Sequence, residues 1–534
     1  MKKIIFKLTL LTIACSLSIF VTTIRIREFT KPLVKATELL AASKEIDCGF
    51  PDGYADNVNR SNLKNKFSFL AGTRKEDPQD VIPILRQAGA GWIRRGVIWQ
   101  EVEPQKGKYN WSGYDEWVCG ALEQKMSLLL TFNEATDWGD SCNEGKRCLP
   151  DDLAAYSEFV YRTTKRYKKL VDYYQVDNEP NLGVWTGTPN DYVKLLKTAY
   201  QAIKKADPGA KVLQAGIGSW THIDFFGKIA ELGSTDFFDI FDFHYYGTFL
   251  RKAGEWVPAP NITRTFQETL NYHKRVLKTH GGLKPIWLTE TGGPYPHHAW
   301  RDYYNGNKEV MLEEMARQVP KRSLVPFSMG VKRVGFQAGW FIGWGVAKKA
   351  TKAQKTYKLT TSKMKGFKSV DQIRDLGDGV KAFSVEGLKN PLYVIWSDSG
   401  DKIIDLSKRI PGKVIITHID ESTEVQASSS ISLTSGDKLN TSSPIFVEPV
   451  TGPPTFNLIN GWNEITWPDV SGYTAKSALE DINDDCGAGT AVVIARKRKD
   501  WWEGYVKNYG GKNFSLQNNK NYFIKVGKSC NWTP

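Results

Sequence analysis

The sequence predicts an α/β protein, a (β/α)8 TIM barrel followed by a β-sandwich module and a small β-rich C-terminal domain. Three observations carry that reading. Between about 66 and 345, short apolar, β-branched or aromatic runs alternate with amphipathic segments, the pattern of repeated βα units. Two of those runs lead straight into a glutamate and then a Pro or Gly turn, at Glu179 and Glu290. After about 370 the helical periodicity stops and short strands bounded by Gly, Asp, Ser and Pro take over.

The strand candidates are Phe67–Gly72, Gly91–Val97, Ser127–Phe132, Tyr173–Val176, Lys211–Ala215, Ile240–His244, Ile286–Thr289 and Val334–Trp340. Between them, Leu153–Lys169, Asp191–Ala206, Phe266–Thr279 and Lys308–Gln318 space their apolar residues as helices do. Eight strands over roughly 280 residues match one closed barrel. The barrel domain is read as 46–350, the β-sandwich as 351–450, with strands near Val380–Val385, Leu392–Trp396, Val414–His418 and Ser430–Leu433. Thr451-Gly-Pro-Pro-Thr reads as a stiff linker, and 455–534 as a small aromatic-rich domain.

A chain of 534 residues exceeds one compact core, and its 41% hydrophobic content and 18 Trp mark globular material with aromatic surface to spare. The formal charge is +14. Part of it lies in Val346–Val370, where Lys348, Lys349, Lys352, Lys355, Lys358, Lys363, Lys365 and Lys368 occur without a single Asp or Glu. That stretch reads as a solvated linker or loop, with attraction to an anionic polymer or membrane surface as the sharper alternative. No nucleic-acid module accompanies it, so nucleic acid is not an expected partner.

The N-terminus, residues 1–45, opens Met-Lys-Lys-Ile-Ile-Phe-Lys and continues into apolar Leu8–Val21. This reads as an export signal or an uncleaved membrane anchor, since Ile4–Ile24 is about long enough to span a bilayer. An extracellular or cell-surface location follows as an expectation. Apart from Cys15, six cysteines remain, an even number in a chain expected to meet an oxidising compartment. Cys142–Cys148 closes a short loop, Cys486–Cys530 staples the last domain, and Cys48–Cys119 is left by elimination. No Cys/His spacing resembles a metal site, and no cofactor is expected.

Hydrophobic strands that run into a carboxylate place it at the C-terminal rim of a barrel, where catalytic groups collect. The other strand ends supply Arg94, Asn133, Asn178, Asp242, His244, Tyr246 and Trp340. Neighbouring residues in a strand face opposite ways, so one of Arg94 and Arg95 points inward. Glu101 and Glu103 precede Pro104 and read as solvated or structural, since neither is paired with a second acid.

Three motifs in order now define a resemblance: Arg-x(4)-Trp-x(3)-Glu-Pro-x(2)-Gly-x-Tyr-x-Trp at 94–111, Asn-Glu-Pro at 178–180 and Thr-Glu-Thr-Gly at 289–292. From about 65 to 350 the chain resembles clan A retaining glycoside hydrolases, nearest to the family 39 type, with family 5 cellulases next. The resemblance implies Glu179 as general acid/base and Glu290 as nucleophile, acting on β-glycosidic bonds of an extracellular polysaccharide or oligosaccharide by double displacement. It implies Arg94 rather than Arg95 as the inward cation, Tyr246 as hydroxyl donor to the nucleophile, and Asn178 as holder of the sugar 2-hydroxyl. His244 and Asn133 are expected to reach sugar hydroxyls or orient a carboxylate, and Trp340 to form an apolar platform under the sugar. Trp99 and Trp138 are second-rank aromatic candidates. Retention requires the two carboxyl groups about 5–5.5 Å apart, inversion about 6.5–9.5 Å. A non-catalytic glycan-binding surface protein and a transglycosylase are the alternatives on the same barrel. Loop length tilts the reading toward internal cleavage.

Overall fold

The computed structural model describes residues 46–532, apart from 52, 71–76, 134–135, 143–145, 220–221, 248–263, 293–306, 338–350, 436–440, 451–455, 468–471 and 518–519. The N-terminal segment, the rim loops from which internal cleavage was read, and Trp340 lie outside these residues. No helix among the described residues is long and apolar enough to cross a membrane.

Nine strands form one parallel sheet: β1 (Phe67–Leu70), β2 (Trp92–Ile98), β3 (Ser127–Asn133), β4 (Tyr173–Val176), β5 (Lys211–Leu213), β6 (Ile217–Gly218), β7 (Phe241–Tyr245), β8 (Ile286–Thr291) and β9 (Arg333–Gln337). Their order is β5-β4-β3-β2-β1-β9-β8-β7-β6. Two bridges, Leu213↔Ile240 and Asn178↔Gly216, join the two ends of that order, so β5 and β6 together make the fifth stave of a closed eight-stave barrel. The fifth strand, read as continuous over Lys211–Ala215, is therefore interrupted at Gln214–Gly216. Gln214 is the cause. Its side chain exchanges two hydrogen bonds with the backbone of Asp242, donating to the carbonyl and accepting from the N–H, in place of a regular ladder.

The outward faces of the strands are apolar because helices cover them. Those helices start where capping residues stand. Asp152 accepts from Ala155 N–H ahead of Leu153–Arg166, and Thr188-Pro189 with Asp191 forms a capping box for Pro189–Ala206. Thr265 with Glu268 does the same for Phe266–His280. The described part of the Lys-rich stretch, from Thr351 on, is not a linker. Lys352–Lys363 is a helix capped by Thr351, with Tyr357 fully buried against Phe67, Phe69 and Phe336 and Thr361 donating to the Ala88 carbonyl. Its lysines Lys352, Lys355, Lys358 and Lys363 line the outer side while Ala353, Tyr357 and Leu359 are buried, so these four charges form one face of an amphipathic helix.

After the barrel comes a six-stranded sheet with spatial order Ser369–Ile373, Val380–Glu386, Leu392–Ser397, Ile445–Pro449, Val414–His418, Thr423–Gln426, plus a two-stranded ribbon of Lys402–Asp405 and Ser430–Leu433. Phe383, Val394, Trp396 and Phe446 of the sheet belong to the same hydrophobic core as the barrel.

The chain divides into two compact units, the second comprising Ser407–Ile415, Val425–Ser429 and Glu448–Pro534. Its main body is not all β. The helix Ala475–Cys486 covers one face of a five-stranded sheet and forms with it a separate core around Trp467, Ile482, Ile494, Ile524 and Trp532. Cys486–Cys530 staples this unit, and a cross-link spanning 44 residues stabilises by about 4 kcal/mol on chain-entropy grounds. Cys142–Cys148 and Cys48–Cys119 are bonded as well.

Candidate active site

Strand alternation sends every second residue of β2, β4, β7 and β8 into the barrel, and Arg94, Gln175, Asp242, His244 and Glu290 among them are polar or charged. Arg94 lies inside and is 3% exposed, while Arg95 points outward over the ring of Trp117. Arg94 divides its guanidinium three ways: Nε to Gln175 Oε1 at 2.6 Å, one terminal nitrogen to Glu290 Oε1 at 2.6 Å, the other to Asn178 Oδ1 at 2.7 Å. Removing one member of a buried ion pair of this kind costs about 3–5 kcal/mol. Gln175 in turn donates to Asp242 Oδ2 at 2.6 Å and to the Gln214 carbonyl at 3.0 Å. This fully buried layer of Gln175, Gln214, Asp242 and Thr289 floors the site.

Glu290 reaches its position through an irregularity. Along β7 and β8 the register runs Phe243↔Leu288 and then His244↔Glu290, so Thr289 is an extra residue that re-aims the glutamate. Thr289 is pinned by Asp242, which accepts from both its N–H and its hydroxyl. On the other side Gly335 makes room, since a Cβ there would stand 2.4 Å from the Thr289 carbonyl oxygen. The second oxygen of Glu290 accepts from Tyr246 O–H at 2.8 Å. Burial alone would raise the Glu290 carboxyl, but the charges of His244 and Arg94 and the tyrosine hydrogen bond outweigh it and hold it below its ordinary value.

Glu179 follows β4 in a left-handed turn. Asp177 has φ 66° and Glu179 φ 48°, unusual for residues other than glycine. The Glu179 N–H donates to the Gly216 carbonyl, and Asn181, two residues on, exchanges two hydrogen bonds with the backbone of Gly218. The Glu179 carboxyl is the more open of the two, at 17% exposure against 9% for Glu290.

His244 stands between the acids. Nδ1 is 2.8 Å from Glu179 Oε1, Nε2 is 3.1 Å from Thr289 Oγ1, and Nε2 is 3.7 Å from both Asp242 Oδ2 and Glu290 Oε1. Full burial favours the neutral ring, yet Glu290, Asp242 and Glu179 together outweigh that and lift it to about 10. The ring is therefore an imidazolium near neutrality. Gly216 admits it, since a Cβ there would lie 2.0 Å from Nε2. One donor atom from each of Glu179, His244 and Glu290 lies within 4.8 Å of the others. An imidazolium has no lone pair to give a cation, so this trio is poorly suited to hold a metal. Asp140, Cys142 and Cys148 form the other such cluster among the described residues, and there the sulfurs are bonded to each other.

Of the residues read from the sequence, Arg94, Asn178, Glu179, His244, Tyr246 and Glu290 converge on one point. Asn133 ends β3 beside Gly96, with Oδ1 buried and unbonded, and makes no hydrogen bond to either acid. Trp99 is fully buried against Trp138, Tyr156 and Phe159, so it is core and not a ligand platform. Glu103 is 1% exposed and accepts from Trp99 Nε1 and Gly107 N–H, a structural role in which it is not solvated. Glu101 accepts from Tyr114 O–H. Gln175 and Arg147 were missed. A glutamine inside the apolar run Tyr-Tyr-Gln-Val was the available signal for the first; a loop arginine beside a cysteine carries none.

No protein-family model and no curated protein matches the chain. Solved structures do share its fold. A family 39 glycoside hydrolase from Bacteroides cellulosilyticus WH2 has a TM-score of 0.55 at 16% identity, covering 73% of this chain and 82% of its own. A monomeric β-xylosidase from Caulobacter crescentus CB15 has a TM-score of 0.51 at 15% identity, over 72% and 96%. A family 39 enzyme from Xanthomonas axonopodis pv. citri has 0.51 at 12%, over 72% and 94%. At these identities the likeness is one of fold, and it establishes the (β/α)8 barrel with its following β sheet.

Proposed function

We propose that this chain is a retaining glycoside hydrolase that cleaves β-glycosidic bonds of an extracellular or cell-surface polysaccharide. One observation carries the reading: oxygens of Glu179 and Glu290 lie within 4.8 Å of each other, with Arg94 and Tyr246 bound to Glu290. Glu290, gripped by Arg94 and Tyr246, is kept ionised to attack the anomeric carbon. Glu179, the more open acid, donates a proton to the leaving oxygen and then takes one from water. A close approach of these oxygens suits the retaining mechanism, with carboxyl groups about 5–5.5 Å apart, better than inversion at about 6.5–9.5 Å. Asn178, presented by Arg94, holds the 2-hydroxyl, a contact that strengthens as the oxocarbenium-like transition state forms. As the glycosyl–enzyme bond forms, Glu290 loses its charge, and Glu179 then acts as the base that activates water for the second step.

Export is supported by the basic and apolar N-terminal sequence and by three disulfides, which persist in oxidising surroundings. Association with a cell wall or membrane surface belongs to the same reading. The test is digestion of a panel of β-linked polysaccharides with purified protein, with the first product's anomeric configuration followed by NMR. Retention is expected; inversion, or no cleavage of any of them, contradicts the proposal.

A further inference from the structure

We propose that Arg147, on the loop closed by the Cys142–Cys148 disulfide, is a positioning residue that aims the carboxyl of Glu179 at the departing oxygen; this rests on the acid/base reading of Glu179. Glu290 lies within a barrel strand and its carboxylate is fixed by Arg94 and Tyr246. Glu179 lies beyond the end of β4, and its carboxylate pairs with the ring of His244. Its aim is therefore set by the backbone of 177–179, which makes two left-handed turns in three residues. Such conformations persist where the surroundings over-determine them.

Arg147 supplies that determination from outside the barrel. Its Nε stands 3.0 Å from Asp177 Oδ1, with Asp177 fully buried, and a terminal nitrogen donates to the Asn178 carbonyl. Asp177 passes the constraint on by accepting from the Asn178 N–H. Arg147 is itself anchored, its N–H donating to the Val184 carbonyl and its carbonyl accepting from Thr186 N–H, both at 2.8 Å. The disulfide begins at the next residue. Asn178 is thus held from inside the barrel by the Arg94 guanidinium on its side chain and from outside by Arg147 on its backbone. A lysine cannot reproduce this, because one ammonium does not span carboxylate and carbonyl in a fixed fork.

The experiment compares kcat/KM, which reports the first bond cleavage, for 2,4-dinitrophenyl and phenyl β-glycosides of common hexoses and pentoses. Dinitrophenolate leaves without a proton, whereas phenolate needs the acid. Arg147→Ala and Arg147→Lys are expected to lose roughly 100-fold on the phenyl glycoside, within the range of a general acid's contribution, and less than about 5-fold on the dinitrophenyl glycoside. Arg147→Ala with Asp177→Asn removes both charges, avoids a lone buried carboxylate, and keeps the same leaving-group dependence. Equal losses on both leaving groups, or no loss, in the single and the double variants would overturn the assignment. Wild-type protein that cleaves neither series would instead overturn the glycosidase reading.

Discussion

Glu290 in the barrel and Glu503 in the C-terminal unit are both buried carboxylates beside cations, and they differ in what else is near. Glu503 is 2% exposed and is met by Arg496, Arg498 and Lys512. Burial would raise it, but the three cations' hydrogen bonds dominate and push it down to about 2. Both of its oxygens face cations. Glu290 has one arginine, one tyrosine and an imidazolium it shares with Glu179, whose carboxylate stands within 4.8 Å. A buried charge becomes a site when its compensation is incomplete and shared with another titratable group; when compensation is complete it is a structural staple.

Exchanging each glutamate for glutamine separates these roles most widely. Glu290→Gln is expected to lower turnover on the order of 10⁴-fold or more, the scale of removing a covalent nucleophile, with polysaccharide binding by calorimetry unchanged. Glu503→Gln is expected to lower the melting temperature and leave kcat alone. Retained turnover in the first, or lost turnover in the second with the fold intact, breaks the comparison.

A smaller effect sharpens the role of the shared imidazolium. Gly216→Ala places a methyl where His244 Nε2 now stands and displaces the ring from between the acids. A loss of roughly 100-fold in kcat is expected, as for an ångström-scale misplacement in an active site, and unchanged kcat would show that the ring's position is immaterial.

The smallest effects appear in stability against pH, at opposite ends. The His244 ring is raised in the folded state, so its contribution is full below its ordinary 6.5 and is lost as pH rises through about 10. Glu503 is depressed, so its contribution is present above its ordinary 4.5 and is lost as pH falls through about 2. Hydrogen exchange followed by peptide should therefore show the barrel rim loosening first in alkali and the C-terminal unit first in acid. The reverse order contradicts both assignments.

Much of this was legible in the chain itself. Period-two and helical spacing placed all eight barrel staves within a few residues, and alternation from Ile93 made Arg94 and Arg95 exclusive alternatives, of which Arg94 proves to be inward. The carboxylates were legible because a strand running into Glu-Pro or Glu-Thr-Gly ends at the rim. What escaped depends on long-range contact. The bulge at Thr289 arises from Asp242 and the room left by Gly335, 46 residues further on, and no local pattern encodes it. Trp99 follows a strand end as a platform residue would, yet tertiary packing against Phe159 and Tyr156 buries it. The lysine run at Val346–Val370 looked like a linker because its helical apolar residues, Ala353, Tyr357 and Leu359, are few against the charges around them.

The central claim is that Glu290 attacks the sugar, and covalent trapping tests it most directly. The protein is incubated with an activated 2-deoxy-2-fluoro β-glycoside, digested, and sequenced by mass spectrometry. The account predicts time-dependent inactivation with a single fluoroglycosyl group on Glu290, absent in Glu290→Gln. A label on Glu179 or another residue, or turnover without any trapped adduct, would contradict it.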